Sequence, residues 1–282
     1  MAESEKSGGA FSAPAAFGGQ HALYGPPRWH FEGYASRVVA RCEPAILAPF
    51  VPEPLQIDDE GIVHISAFDL VCDCGLGPDF VLENPDLCQV KEAVVGIMAR
   101  HNGEPAYWPL FLWTDNDSEI AVGREMYGWQ QRRGEISLSR QPFRGWRSGD
   151  PVVVRTLRGN RSVFEFRISL RSPVEPASAI APARPQDSHV GRLYIYTDAV
   201  IVHPVDGSTT RRMVRTGIED VRISDEWEGT PSLQIHAPEL EFLSGATMLS
   251  GLWQKISFTK PAATDVVREV TTAGGRAAAR GA

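Results

Sequence analysis

Short alternating and apolar runs dominate the chain. Ile62-Val63-His64-Ile65-Ser66-Ala67-Phe68 alternates with a period of two, the pattern of a β-strand, and Arg37 to Cys42 is rich in strand-forming residues. Glu92 to Arg100 and Tyr107 to Thr114 are apolar runs joined through His101-Asn102-Gly103, and Asn-Gly between two such runs predicts a tight hairpin. Val152 to Leu157 and Val163 to Leu170 bracket Gly159-Asn160 and predict a second hairpin. Further strand patterns fall at Arg192 to Thr197, Ala199 to His203, Val221 to Ile223, Leu233 to His236 and Gln254 to Thr259. Helical signals are few. Pro44 opens a short helix near Ala45 to Ala48, and a second helix runs from Asp117 to about Tyr127, with Asp115, Asn116 or Asp117 placed to cap it. Many linked antiparallel strands with few helices predict a mostly-β barrel or sandwich.

This pattern is confined to the middle of the chain. Residues 1–24 are Gly-, Ser- and Ala-rich and read as a mobile arm, 25–262 as one domain, and 263–282 as a frayed tail. A Pro/Ala-rich stretch from Ser172 to Pro185 reads as a long surface loop inside one sheet system.

Composition narrows the function. The 282 residues are 43% hydrophobic and 22% charged, the proportions of a folded globular protein. A net charge of -7 lacks the basic footprint of a nucleic-acid binder or of a protein held on anionic lipid. No apolar run approaches the roughly 20 residues of a membrane span. Cysteine occurs only at Cys42, Cys72, Cys74 and Cys88, and Cys72-Asp73-Cys74 has the wrong spacing for a redox or zinc pair. Acidic residues stand near the N-terminus where a signal peptide needs basic ones, so the expected compartment is the cytoplasm. The seven histidines show no metal-ligand spacing, and no phosphate-binding glycine loop or GxSxG elbow is found. Neither a metal nor a cofactor is expected.

One segment carries a family signature. Thr114-Asp115-Asn116-Asp117 followed by Ala121-Val122-Gly123-Arg124-Glu125-Met126-Tyr127-Gly128-Trp129 closely resembles the acetoacetate decarboxylase family. Val51-Pro52-Glu53-Pro54-Leu55 resembles that family's early turn. The Asn102-Gly103 hairpin and Trp227-Glu228-Gly229 followed by Leu233-Gln234 fall where the family has similar elements. The resemblance implies a cone-shaped, mostly antiparallel β-barrel with a few short helices, enclosing a deep pocket for small oxo acids in a homo-oligomer.

In the family a lysine after the Gly-aromatic pair forms a Schiff base with the substrate ketone, and a second lysine lowers its pKa. Here those two positions are Gln131 and Arg132, and glutamine forms no imine. A pocket glutamate of the family falls on Glu92; a second falls near Ser66, and the family's early arginine near Gly33, so by this resemblance both of these are replaced. Lysine occurs only at Lys6, Lys91, Lys255 and Lys260. Lys91 is adjacent to Glu92 and points to the opposite face, and neither the arm lysine nor the two on the late strand reads as reaching a pocket. His64 is expected to face away from Ser66, and His101 sits at a hairpin tip.

Taken by itself, Glu92 reads as a strand-edge carboxylate in water or paired with an arginine; the resemblance makes it a pocket acid/base. Gln131 then donates a hydrogen bond that polarises a carbonyl, Arg132 holds an acidic group, Trp129 walls the pocket and Ser66 lines it. The expected function is dehydration, cyclisation or isomerisation of a small oxo acid or polyketide-like carbonyl compound without a Schiff base. The alternatives are imine-independent decarboxylation of a β-keto acid, and a non-catalytic barrel that binds a small molecule.

Overall fold

The computed structural model describes residues 24–25, 27–174, 194–202, 208–261 and 265–272. The 1–24 arm and the Ser172 to Pro185 loop fall almost wholly outside these residues. Fourteen strands are present among those described. The first half holds β1 (Trp29–Arg41), β2 (Gln56–Ile57), β3 (Ile62–Cys72), β4 (Gln89–His101), β5 (Glu104–Thr114), β6 (Gln131–Arg133) and β7 (Glu135–Leu138). The second holds β8 (Pro151–Arg158), β9 (Arg161–Pro173), β10 (Tyr194–Val202), β11 (Thr209–Thr216), β12 (Glu219–Ile235), β13 (Thr247–Lys260) and β14 (Asp265–Thr272). Four short helices, α1 (Pro44–Leu47), α2 (Pro78–Glu83), α3 (Pro85–Cys88) and α4 (Asp117–Val122), connect them. Both predicted hairpins form, at Asn102-Gly103 between β4 and β5 and at Gly159-Asn160 between β8 and β9.

All the strands join one sheet in the order β14-β11-β10-β5-β4-β3-β1-β13-β12-β9-β8-β7, with β2 on β4 and β6 on β5. Pairing is antiparallel except for β10 and β6 on β5. The sheet is not closed: among the described residues no hydrogen bonds join the β7 and β14 edges. A sheet this wide curls. Here the four-residue β7 packs back against β3, β4 and β5, so the sheet folds over its own core. The segment expected as a frayed tail also differs: Asp265–Thr272 pairs along β11 as an edge strand. Its charged, exposed residues give no apolar alternation from which a strand could be read.

The period of two gives the central strands two distinct faces. On one face Val38, Val63, Ile65, Ala67, Ala93, Val95, Ile97 and Trp253 join a large core with Phe164, Phe166 and Ile168 of β9. On the other, Trp29, Phe31, Leu70, Val94, Leu112, Trp129 and Ile256 form a second cluster. Both faces of these strands are therefore buried, and the second one holds the cavity. A bulge between Val95 and Gly96 of β4 leaves Leu110 of β5 unpaired. That extra residue resets the alternation, so Tyr107 and Leu112 reach the same cavity although they are five positions apart. Gly96 makes room for the tyrosine: a Cβ there would lie 2.2 Å from the Tyr107 ring.

The α4 segment delivers the family signature into this second face. Asn116 caps the helix by accepting from the Glu119 N–H at 3.0 Å, and its amide donates to the carbonyls of Asp86, Leu87 and Gln89. The backbone then widens into a single π-turn over Gly123–Tyr127 and stops at Gly128, whose φ of 70° is left-handed. Trp129 and Gln131 follow directly, both buried.

Candidate functional site

Two depressions stand out. An open one of about 440 Å³, lined by Arg41, Glu43, Asp59 and Glu60, lies on the surface and gathers no buried polar group. The other is a cavity of about 150 Å³ within the second face, walled by Phe68, Leu70, Val94, Leu112, Ile256 and Phe258. Into this apolar enclosure project Arg37 from β1, His64 and Ser66 from β3, Glu92 from β4, Tyr107 from β5, Trp129 after α4, and Lys260 from the end of β13. Polar groups converging in an apolar cavity are the usual form of a small-molecule site.

Glu92 keeps a partly accessible surface, which faces the cavity, while protein surrounds the rest of its side chain. Its carboxyl is pushed up to about 8, first by burial and then by the nearby carboxylate of Glu119; Lys260 and Gln131 act in the opposite direction. Lys260 is 4% exposed, and its Nζ stands 3.1 Å from the centre of the Trp129 ring and 4.0 Å from that of Tyr127. Burial pulls its amine down to about 8, against the attraction of Glu119 and Glu92. Burial thus moves two groups of opposite type toward neutrality within one cavity, the direction that acid/base chemistry there requires. Glu119, on α4, is buried and accepts from the Tyr24 hydroxyl at 3.1 Å.

At the other side of the cavity, Arg37 Nε donates to Ser66 Oγ at 3.3 Å. Burial pushes the Tyr107 phenol well up, so it stays protonated and can donate. Its ring centre lies 6.0 Å from that of His64.

Four of the five residues singled out from the sequence come together. Glu92, Trp129 and Ser66 line the cavity. Gln131 is 2% exposed beside Glu92, with neither amide atom in a well-formed hydrogen bond, and Gly123 makes room for it, since a Cβ there would lie 1.9 Å from Gln131 Oε1. Arg132 does not join them. On β6 it points to the opposite face from Gln131, lies over the Phe111 ring and reaches Glu239 at 3.5 Å. The anchoring role expected of it is therefore not available in this arrangement, and the arginine in the cavity is Arg37.

Two further expectations are overturned. His64 does not face away from Ser66; residues two apart in a strand share a face, and both line the cavity. Lys260 does reach the pocket, whereas Lys91 pairs with Asp115 at 3.4 Å and Lys255 is exposed, as expected of lysines outside it. The signal for Lys260 was present in Ile256, Phe258 and Lys260, which alternate onto one face; reading the strand as ending at Thr259 concealed it. Glu119 carried no such signal, because helix-start acids are ordinarily solvated.

Comparison with known proteins agrees with this architecture. The family model described as acetoacetate decarboxylase (ADC) matches residues 13–269, and the chain belongs to that family. It is 25% identical over 228 residues to an acetoacetate decarboxylase of Ralstonia nicotianae, covering 76% of this chain and 81% of that one. It is 25% identical over 212 residues to one from Clostridium acetobutylicum, covering 75% of each. Among solved structures, an acetoacetate decarboxylase-like enzyme from Sphingomonas wittichii RW1 superposes with a TM-score of 0.77 at 23% identity, covering 91% of this chain and 98% of that one. The enduracididine biosynthesis enzyme MppR complexed with pyruvate gives 0.69 at 19% identity, covering 94% and 98%.

Proposed function

We propose that this chain is an enzyme acting on a small carbonyl compound with an acidic group, an oxo acid, and that Glu92 moves the proton in its reaction. The observation that carries the reading is the Glu92 carboxyl, set in an apolar cavity and raised to about 8. Below that value it is an acid able to protonate a carbonyl oxygen or an enolate carbon; once ionised it is a base able to take a proton α to a carbonyl. Arg37, held by Ser66, is the cation for the substrate's acidic group, in the role first expected of Arg132. The Gln131 amide, buried beside Glu92, has a donor to offer the substrate oxygen. Such machinery suits dehydration, cyclisation or isomerisation. Proton transfer at Glu92 serves a carbonyl polarised by hydrogen bonds and one converted to an imine alike.

A second reading, decarboxylation of a β-keto acid, is favoured by the walls of Phe68, Leu70, Val94 and Leu112, which would desolvate a carboxylate and ease its loss. The pyruvate in the MppR complex supports the oxo-acid class by likeness of fold.

The test is a panel of β-keto and unsaturated oxo acids followed by mass spectrometry, with Glu92→Gln beside the unaltered protein. Loss of water, rearrangement at constant mass, or release of carbon dioxide identifies the reaction. Glu92→Gln is expected to lower the rate by about 10²–10⁴-fold with the melting temperature retained. Full turnover by Glu92→Gln would remove this residue from the mechanism.

A further inference from the structure

Lys260 is the most unusual side chain in the cavity. A buried lysine normally pairs with a carboxylate or carries its ammonium out to water along its aliphatic stem. Lys260 does neither: it is 4% exposed, and its amine makes no ion pair or hydrogen bond among the described residues. Three rings, Trp29, Tyr127 and Trp129, surround it. Tyr127 is itself fixed, its hydroxyl donating to the Pro261 carbonyl at 3.1 Å. Trp129 stands two residues before Gln131, so this amine from β13 lies along the same segment that places the glutamine beside Glu92. Gln131 can form no covalent bond to a carbonyl. A cavity-facing primary amine can.

We propose that Lys260 is a catalytic nucleophile that forms an imine with the substrate carbonyl, from β13 and not from the segment that follows α4. The inference rests on the oxo-compound reading above and adds the covalent step. The neutral Nζ attacks the carbonyl carbon, a C–N bond forms, and the oxygen takes a proton from the Glu92 carboxyl. A proton from the nitrogen returns to Glu92 and then passes to the hydroxyl. The C–O bond breaks, and water leaves. The products are a protonated imine on Lys260 and an ionised Glu92. That carboxylate then takes a proton from the adjacent carbon to give an enamine; alternatively, a β-carboxylate departs as carbon dioxide, leaving its electron pair in the same enamine. Reprotonation at carbon and attack by water restore Lys260. On the first route Glu92 returns the proton to carbon. On the decarboxylation route, where Glu92 is ionised, that proton comes from solvent, so loss of carbon dioxide consumes one proton; on both routes the water released is later consumed.

Burial helps at both ends. It holds part of the amine neutral near pH 8, where an ordinary lysine with a value of 10.5 is almost wholly protonated. The rings that disfavour bulk solvation also face the cation of the protonated imine. The charged and titratable groups bearing on Lys260 are Glu92, Glu119 and Cys72.

The experiment incubates the full chain with pyruvate or acetoacetate, reduces with sodium borohydride and maps the adduct by peptide mass spectrometry. The expected result is an adduct on Lys260 at least about 10-fold above Lys6, Lys91 or Lys255, with a yield that climbs as pH rises through about 8. Lys260→Met should abolish it and keep the fold, since an apolar side chain of similar length replaces a buried amine. Lys260→Arg, which retains a cation but forms no imine, should also give none. No adduct on Lys260 with either probe, or an equal adduct in Lys260→Met, overturns the proposal.

Glu92→Gln separates this inference from the reading beneath it. An adduct at Lys260 with loss of product in that variant supports both. Product lost in Glu92→Gln, with no Lys260 adduct in the unaltered protein, sinks the imine and leaves Glu92 standing. An adduct with full product formation in Glu92→Gln does the reverse.

Discussion

Adjacent residues of the same strands do opposite work on the two faces of this sheet. Val63, Ile65 and Ala67 of β3 enter a predominantly apolar core, while His64 and Ser66, between them, line the cavity. On β4 the same division separates Ala93 and Val95 from Glu92, and on β1 it separates Val38 from Arg37. The first face is built as stability requires. The second contains a carboxyl and an amine whose desolvation costs several kcal/mol each in a dry interior. Well-packed hydrophobic residues would hold the strands together better, so the cavity face departs from what stability alone would select, as the proposed chemistry requires.

The sharpest way to break this comparison is to truncate one residue on each face of β3. Ile65→Ala removes a fully buried side chain from the core and is expected to destabilise the fold by about 2–5 kcal/mol. Ser66→Ala removes only the hydrogen bond from Arg37 and should cost about 0.5–1.5 kcal/mol while weakening binding of an acidic substrate. Denaturant unfolding of both variants measures the difference. Equal losses would mean that the cavity face is a second core and no more.

The cost of the buried charges has a pH signature. Glu92 binds its proton more tightly in the folded state, with a value of about 8 against 4.5. Its penalty is absent below 4.5, grows as pH rises and is complete above about 8. Lys260 is the mirror case, with about 8 against 10.5: its penalty is absent above 10.5 and complete below about 8. Glu119, Cys72 and Tyr107 share the field of this pair. Glu92→Gln should therefore stabilise the protein increasingly as pH rises, and Lys260→Met increasingly as it falls, each by about 1–4 kcal/mol at its limit. Thermal melts across this range check both slopes. A flat difference for Lys260→Met would show an amine that is solvated, not buried.

Much of this was legible in the sequence because it depends on local rules. Alternation and Asn-Gly located the central hairpins; Asn116 followed by a helix-forming run located α4. The acetoacetate decarboxylase signature led to Glu92, Trp129 and Gln131, which converge in the structure. What escaped depends on register and on the sheet's curl. The bulge at Gly96 puts Tyr107 on the cavity face against simple alternation. The placement of Lys260 requires β13 to lie beside β1, which brings Lys260 level with Trp29, some 230 positions earlier in the chain. No local pattern encodes that pairing, and a lysine at a strand end looks the same whether it meets water or three aromatic rings.

The smallest predicted effect bears on the residue whose role the face argument reassigns. Arg132 follows Gln131 on β6, opposite Trp113 of β5, whose ring belongs to the first core. It is partly exposed, and its contacts are Glu239 at 3.5 Å and the Phe111 ring at 5.5 Å. An exposed pair of this kind is worth about 0–1 kcal/mol. Arg132→Ala is thus expected to lower stability by less than about 1 kcal/mol and to leave the KM for an acidic substrate within about 2-fold. Arg37→Ala should raise that KM by about 10-fold or more, because it removes the cavity's charged anchor. Steady-state kinetics of the two variants decide between the arginines. If Arg132→Ala produced the larger KM change, β6 would have to present its other face to the substrate, and Gln131 would then leave its place beside Glu92.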